Sequence, residues 1–555
     1  MIESITTILN QGLAYIIPMV VLLGLLIFVH ELGHFLAAKY YKVRVETFSL
    51  GFGPKLFKFV HGGTVYCISA LPLGGYVKMY GDEPGKDVPA DLKKQSYLHK
   101  PVGQRIIIAL AGPLMNLFFA AVLFQVIAYI GDKALSPEVG EIALNSKAYQ
   151  EGFRPYDQIL KINGQSIETW DEAKETIEAS ADKELSFSLE RFGSPLQLDV
   201  VPKSSVNDNL FSTADRIGKI KGLNTNLHMP IVGIIQDGNL YRAGLRTGDR
   251  ITEVNGEKIS WFKDIEPNVL ESLFNGEREA TLKVNRFADF RKNKDFEELT
   301  FHLVGQNFTK QKLDFFVPET VIAEVQPESP AALAGLLRFD QILTINGVPI
   351  ISFDDIVKNV STYVPGEAPL KVEVLRENQT QFFEMTPKMN SLEGMYGETE
   401  NRFTIGVIPT LFVAPKTFLW KSTSFTGTFN RAITQTLRWT KITLLSFVRI
   451  LQNRVSAKNV SGIISIGQVA QQSWSIGLNA FLKMMAIISI NLFVLNLLPI
   501  PILDGGHLLL FTLEAIKGAP ISLKKIEIAQ QVGFLLLLFL MAFALFNDFS
   551  RIFGA

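Results

Sequence analysis

The sequence is poor in cysteine: Cys67 is the only one among 555 residues. That excludes intrachain disulfides and any all-cysteine zinc site. It has no excess charge of either sign, with 54 basic and 54 acidic residues, so a uniformly basic nucleic-acid binder is not expected. With 19% charged and 47% hydrophobic residues it is less charged and more apolar than an ordinary soluble protein. A disordered chain is thereby excluded. Carboxylates are absent from two long stretches. Glu31 is the only acid between Glu3 and Glu46, and none occurs between Glu400 and Asp504.

The charges that are present are segregated. Residues 132–400 hold 43 acids and 29 bases, residues 39–105 hold 11 bases and 5 acids, and residues 401–503 hold 10 bases. Four apolar segments flank the acidic block: about Leu13–Ala38, Arg105–Ile130, Leu478–Leu498 with an apolar continuation through Leu510, and Val532–Phe546. The first three reach the ~20 residues that a bilayer core requires. The leader Met1–Gln11 carries one acid and no base, the wrong flank for a cleavable signal. The expected fold is a multi-pass α-helical membrane protein with four transmembrane helices and a large inserted block. Lysine and arginine place the 39–105 loop and the loop holding Lys517, Lys524 and Lys525 in the cytoplasm. The acidic block and both termini then lie outside.

A pattern recurs three times in that block. Gly152, Asp157, Asn163 and Gly164 match Gly244, Asp249, Asn255 and Gly256, and then Gly335, Asp340, Asn346 and Gly347. The period is too long for a solenoid unit, so three small domains in series are expected. Each has a short apolar strand ending in an Asn-Gly turn, with a helix after it. This resembles the circularly permuted PDZ domain, which binds a peptide as an added strand at a sheet edge. Residues 43–80, rich in glycine and short apolar runs, read as β-hairpins. Phe425, Phe429, Ile433, Leu437, Leu444, Val448 and Leu451 recur at helical spacing among basic residues. That helix either lies on an anionic membrane surface or packs on the acidic block.

The chemistry-bearing residues lie inside the apolar segments. His30-Glu31-Leu32-Gly33-His34 is an HExxH motif, and on a helix residues i and i+4 share a face, so both imidazoles can ligate one metal. Zinc lowers the pKa of a bound water to about 7, and Glu31 is placed to take its proton. An ionisable residue inside a span is a functional-site candidate by default. A catalytic zinc needs a third ligand, and no third histidine follows nearby. After the acid-free stretch, Asp504 appears in Asn496-Leu-Leu-Pro499-Ile-Pro501-Ile-Leu503-Asp504-Gly505-Gly506-His507. Two prolines stop the helix there and two glycines permit sharp turns. Asp504 is the expected third ligand, with His507 as a rival or a hydrogen-bonding neighbour.

HExxH in the first span, a distant NxxPxxxxDG and PDZ-like repeats between them resemble the site-2 protease family of intramembrane zinc metalloproteases. Ser49-Leu-Gly-Phe-Gly-Pro54, Pro72-Leu-Gly-Gly-Tyr-Val-Lys78 and Ala111-Gly-Pro-Leu-Met-Asn116 extend the resemblance over nearly the whole chain. It implies Zn2+ held by His30, His34 and Asp504, with Glu31 as catalytic base and Asn496 and Pro499 near the substrate. It implies hydrolysis within or near a transmembrane helix of single-span membrane proteins, anti-sigma factors or remnant signal peptides. It also implies a bacterial inner-membrane location, with the active site toward the cytoplasm and periplasmic PDZ domains that gate substrate or bind peptide termini. In similar proteins the 43–80 region dips into the membrane. Two features depart from the family: three repeats instead of one or two, and Asn459-Val-Ser-Gly-Ile-Ile-Ser465 in place of a Gly-Pro-Ile wording.

The expected division is 1–41, first span with HExxH; 42–103, re-entrant β region; 104–131, second span; 132–215, 216–310 and 311–400, PDZ-like domains; 401–475, amphipathic surface region; 476–510, third span with NxxPxxxxDG; and 511–555, cytoplasmic loop and fourth span. Two alternatives compete. A proteolytically inactive PDZ scaffold has no need of Glu31. A metal transporter needs a second polar path, which the second and fourth spans do not supply.

Overall fold

The computed structural model describes residues 2–553 apart from 84–86, 143–145, 208–211, 276–277, 288–295, 306–307, 309–312, 394–398, 411–412, 453–461 and 520. Residues 459–461 of the stretch that departs from the family therefore lie outside the described residues. The membrane part contributes α1 (Ile2–Tyr40), α2 (Val102–Ile130), α3 (Phe425–Leu451), α4 (Ile463–Ile476), α5 (Leu478–Asn496), α6 (Asp504–Lys517) and α7 (Leu523–Phe553). Among the described residues four stretches are long and apolar enough to cross a membrane: Tyr15–Tyr40, Val102–Ile130, Leu478–Asn496 and Lys524–Ser550. The four expected spans are these.

α2 is the central post, packing against α1, α3, α5 and α6. Leu22, Leu26, Ala120, Phe124, Phe481 and Ile490 are among the residues that fill the shared core. α7 leaves most of its apolar side chains exposed, Leu535 and Phe539 among them, as suits a face turned to lipid. Its end is fixed by Asp548, whose carboxylate accepts from the backbone N–H groups of Gly462, Ile464 and Ser465 and so caps α4.

Between α1 and α2 run β1 (Val45–His61) and β2 (Thr64–Met79). Both bend midway, so the pair forms four segments in the order 75–79, 45–50, 64–69 and 55–61; the outer pairings are antiparallel, and the central register, Thr47 opposite Val65 to Leu50 opposite Ile68, runs parallel. The outer segment exposes Leu56, Phe57, Phe59 and Val60, with Lys55 before them and Lys58 among them.

The inserted block holds three sheets of one topology. The first sheet runs Gln165–Ser166, Gln158–Ile162, Leu185–Arg191, Ser194–Val200, and the second Glu257–Lys258, Arg250–Val254, Glu279–Phe287, Phe296–Val304. The third runs Val348–Pro349, Gln341–Ile345, Leu370–Arg376, Gln379–Met385. Helices Trp170–Glu178, Ile265–Asn275 and Phe353–Ser361 cover them. The Asn-Gly turns have φ of 49° and 79° at Asn163–Gly164, 50° and 85° at Asn255–Gly256, and 51° and 77° at Asn346–Gly347. Two successive positive values are what a two-residue hairpin turn matched to strand twist requires.

Strand pairings reach across the expected boundaries at 215, 310 and 400. Arg216–Lys219 pairs back on Lys203–Val206, Phe315–Phe316 on Gly233–Ile234, and Val407–Pro409 on Ile322–Val325. The last strand of each unit thus lies beyond the final apolar hairpin, where the sequence signal stops.

The recurring aspartates are buried and clamped. Asp157, Asp249 and Asp340 each take a two-pronged bond from Arg191, Arg286 or Arg376, at 2.6–2.8 Å. The same arginines donate to the carbonyls of Gly152, Gly244 and Gly335, joining the conserved-spacing glycine turn to the third strand. Breaking a buried pair strands the remaining charge. Asp340→Asn is therefore expected to cost roughly 3 kcal/mol of local stability. In the full chain, amide exchange in strand Leu370–Arg376 would quicken by about a hundredfold; unchanged protection would refute the role.

Chain entering and leaving the block is zipped together. Asp132–Leu135 pairs antiparallel with Thr417–Trp420, and Asn226–His228 with Val413–Pro415. His228 sits between two carboxylates, 3.6 Å from Glu141 and 3.3 Å from Glu319, and Tyr156 donates to Glu141 at 2.8 Å. Burial disfavours the charged ring, but the hydrogen bonds to Glu141 and Glu319 outweigh it and push His228 up to about 9 from 6.5. A group raised on folding stabilises fully below its unfolded pKa and loses that contribution as pH climbs through the folded one. Protection at 226–228, corrected for intrinsic exchange, should fall between pH 6.5 and about 9. His228→Gln should flatten the profile; a parent profile already flat would count against the ion pairs.

The remaining segments differ from expectation in detail. Lys483, near the start of α5, pairs at 2.8 Å with Asp132, just beyond the end of α2. α3 packs on the acidic block. Arg431 and Arg438 pair with Glu172 and Asp171 of the first unit, whereas Phe425, Leu437 and Leu451 point outward from the protein. The apolar continuation past residue 498 is a separate helix, α6.

Candidate metal centre

His30, Glu31 and His34 lie in the last third of α1. Their environment depends on how closely α2 approaches. A Cβ on Gly112 of the Ala-Gly-Pro stretch would stand 2.2 Å from His34 Nε2, and one on Gly33 would stand 2.3 Å from the Ala111 carbonyl. Small residues at the crossing let the two backbones meet. This brings the Ile108 carbonyl to 2.8 Å from His34 Nδ1. Nδ1 must then carry the proton, which leaves Nε2 bare.

The third donor arrives from the far end of the chain. α5 stops at Asn496, an irregular turn follows, and α6 begins at Asp504. The turn is not made by glycine freedom, as the sequence suggested. Gly505 and Gly506 are absent from the positive-φ residues, and the strained residue is Ile502 at φ 104°. The glycines serve close approach: Cβ atoms there would lie 2.2 Å from the Leu498 carbonyl and 2.4 Å from that of Ile500. α6 is tied to α2 by Glu514, which accepts both prongs of buried Arg105 at 2.7 and 3.0 Å.

Asp504 consequently faces both histidines. Its carboxylate oxygens are 3.2 Å from His30 Nε2 and 3.3 Å from His34 Nε2, and the two nitrogens are 3.2 Å apart. Within the described residues this is the group whose donor atoms all lie within 4.8 Å of one another. His30 Nδ1 is 3.3 Å from the Asn116 amide and 3.5 Å from that of Asn496. Asn116 Oδ1 is buried with no partner. Amide oxygen and nitrogen are assigned by their hydrogen bonds. Turning this amide over places its oxygen on His30 Nδ1–H, satisfies the orphan and bares Nε2. Two bare imidazole nitrogens and a carboxylate aimed at one point repel one another unless a cation sits between them. The donor set fits a tetrahedral divalent ion with an open fourth position.

A cavity of about 700 Å³ opens from this cluster. Glu31, Asn496 and His507 line it, and the 75–79 edge segment of the sheet forms one wall. A Cβ on Gly75 would lie 3.1 Å from the Glu31 side chain, so the glycine lets that edge approach the carboxylate. The cavity continues to Asp82 and Glu83, a polar route for water. Pro499 lies in the turn before Asp504, outside the residues that line the cavity. His507 is in the cavity but not in the cluster. Sequence reasoning missed Asn116, Arg105 and Glu514 as supports. Asn116, an amide in the middle of an apolar span, was the legible signal among them.

A water-accessible histidine, histidine, aspartate cluster with an adjacent glutamate, held between membrane-crossing helices, defines an intramembrane metalloprotease. The sequence comparisons agree: the profile of peptidase family M50 matches residues 18–540, and the chain belongs to that family. Regulator of sigma-E protease RseP of Escherichia coli K12 is 30% identical over 96% of this chain and 98% of its own. The regulator of sigma E protease of Haemophilus influenzae is 31% identical over the same shares. A Pasteurella multocida relative with zinc metalloprotease in its name is 28% identical, again over 96% and 98%. The solved structure of a PDZ domain protein from Parabacteroides distasonis aligns with 51% of this chain and 95% of its own at 12% identity and a TM-score of 0.14, too low to bear on the fold.

Proposed function

We propose that the protein cleaves single-span membrane proteins within or near their transmembrane helices. Its substrates are an anti-sigma factor in regulated proteolysis or remnant signal peptides. The observation that carries this reading is the convergence of His30, His34 and Asp504 beside Glu31 at an unpaired sheet edge. Zinc, when bound by those three side chains, supplies an acidified water and a Lewis acid for the peptide carbonyl. Glu31 accepts the proton from the attacking water and delivers it to the leaving amine. The amides of Asn116 and Asn496 hold the His30 ring, and the Ile108 carbonyl holds that of His34. A peptide bond in a helix is shielded, so the substrate must unwind. The 75–79 edge receives it as an added strand, with Asn496 and Pro499 beside it.

The protein sits in the bacterial inner membrane, a reading supported by its four membrane-length helices and its bacterial relatives. The basic loops support a cytoplasmic-side active site, with the acidic block on the periplasmic side. The three sheet-and-helix units act as PDZ domains in tandem, either gating substrates by size or binding newly exposed peptide termini. The exposed apolar segment 55–61 and the outward face of α3 rest in the membrane surface. To test this reading, the full chain in detergent is given one model span, alone and fused to a folded outer domain. Cleavage of the free span, about tenfold or more slower for the fusion, is expected. Cuts only outside the span region would refute the intramembrane reading, and equal rates would refute the gate.

A further inference from the structure

A second cavity, of about 730 Å³, opens where α1 ends and α2 begins, away from the metal centre. Five cations line it. Lys39, Lys42 and Arg44 come from the end of α1 and the approach to β1, and Lys94 and Lys100 from the segment leading into α2. No acid is among the lining residues. Its walls are held by backbone bonds: Val43 N–H to the Ala38 carbonyl at 2.8 Å, Arg44 N–H to that of Gln95 at 3.0 Å, and Tyr97 N–H to that of Tyr80 at 2.8 Å. Lys39 Nζ donates to Thr64 at 2.8 Å, which draws the β1–β2 turn, with Gly62, over a third side.

The positive charge is not compensated from within. Among the described residues Lys42, Arg44, Lys94 and Lys100 form no ion pair. Burial and then the neighbouring Lys42 lower the Lys100 ammonium from its ordinary value. Like charges gathered in a shaped hollow repel one another until an anion joins them. The hollow's height narrows the choice of anion. The spans Tyr15–Tyr40 and Val102–Ile130 both end beside it, so it stands at the level of the bilayer surface. Tyr40 is 80% exposed next to it, and the apolar residues Phe57 and Val60 are exposed on the neighbouring sheet segment. Acyl chains would lie against such a surface, and a soluble phosphate would gain nothing from it.

We propose that this cavity binds the phosphate of an anionic phospholipid headgroup from the leaflet in which α1 ends. Lys42, Arg44, Lys94 and Lys100 surround the phosphate, and the acyl chains leave past Tyr40. Lipid held there bridges the end of the helix that carries His30 and His34 to the start of the helix that packs on them.

The test uses the full chain in a neutral detergent, with lipid binding read by native mass spectrometry. Probes are dioctanoyl phosphatidylglycerol, dioctanoyl phosphatidylcholine and inorganic phosphate. Phosphatidylglycerol is expected to bind at a single saturable site, at least about tenfold tighter than phosphatidylcholine. Lys42→Asn suits the φ of 56° at that position and removes its charge. Combined with Lys94→Gln it should weaken phosphatidylglycerol by about tenfold. Lys94→Gln alone, at an exposed position, should show part of that loss without any backbone demand. Lys55→Gln with Lys58→Gln removes two charges from the outer sheet segment and should leave binding intact, as should cleavage of the model span in all variants. Equal affinity for the two lipids would overturn the proposal, as would equal losses from the two double variants. Phosphate binding as tightly as the lipid would replace it with a soluble-anion site.

Discussion

Glu31→Gln is expected to abolish detectable cleavage of a model span, a loss of about 10²–10⁴-fold, while metal content stays at the parental level. The amide matches the carboxylate in size and can still hydrogen-bond to water, but it cannot take a proton. Glu31 faces the cavity and is not among the three clustered donors, so ligation has no reason to change. Single-turnover cleavage and elemental analysis on the same preparation separate the two effects. Parental activity in the variant would remove Glu31 from the chemistry; loss of metal along with activity would make it a ligand.

Asp504→Asn should give the complementary pattern. The substitution keeps the shape of the α6 start but removes the negative charge that faces two imidazoles at 3.2 and 3.3 Å. Metal affinity should drop by more than about a hundredfold, since changes even one step removed from a ligand cost 10–100-fold. Metal would then be lost on desalting, and activity with it, and excess zinc would restore activity partly. A chelator applied to the parent should reproduce the defect. Full metal retention in Asp504→Asn would move the third ligand elsewhere, with His507 the nearest alternative in the cavity. Reading metal and cleavage together for both variants distinguishes a base from a ligand, which neither readout does alone.

Much of this arrangement could be read from the sequence because membranes punish ambiguity. A glutamate and two histidines in an otherwise apolar helix, and one aspartate after a hundred acid-free residues, stand out against hydrocarbon. The Asn-Gly turns were equally legible, since two successive positive φ values leave few residue choices. Other features carried no local signal. The closing strand of each unit is two to four residues long and owes its form to a partner up to about eighty-five residues away. Arg191, Arg286 and Arg376 read as ordinary strand ends until the fold sets them on the recurring aspartates. The Asp504 turn was expected from its prolines and glycines, but its strain falls on Ile502, a β-branched residue that no pattern would nominate. Asn116 was quoted only as part of a motif; its task emerges once α2 lies against α1.

The strand pair at the neck of the soluble block has a further meaning for how the chain could be built or rebuilt. Leu135 and Thr417 stand directly opposite one another, as do Asp132 and Trp420, about 5 Å apart as paired strands are. Topologically, everything between them is a detour that returns to its starting point. A two-residue turn spliced from Leu135 to Thr417 would close the ladder without stretching it. The helices bearing the metal donors would keep their connections. The three units are thus a cassette plugged into a socket, joined to the membrane helices through one paired neck.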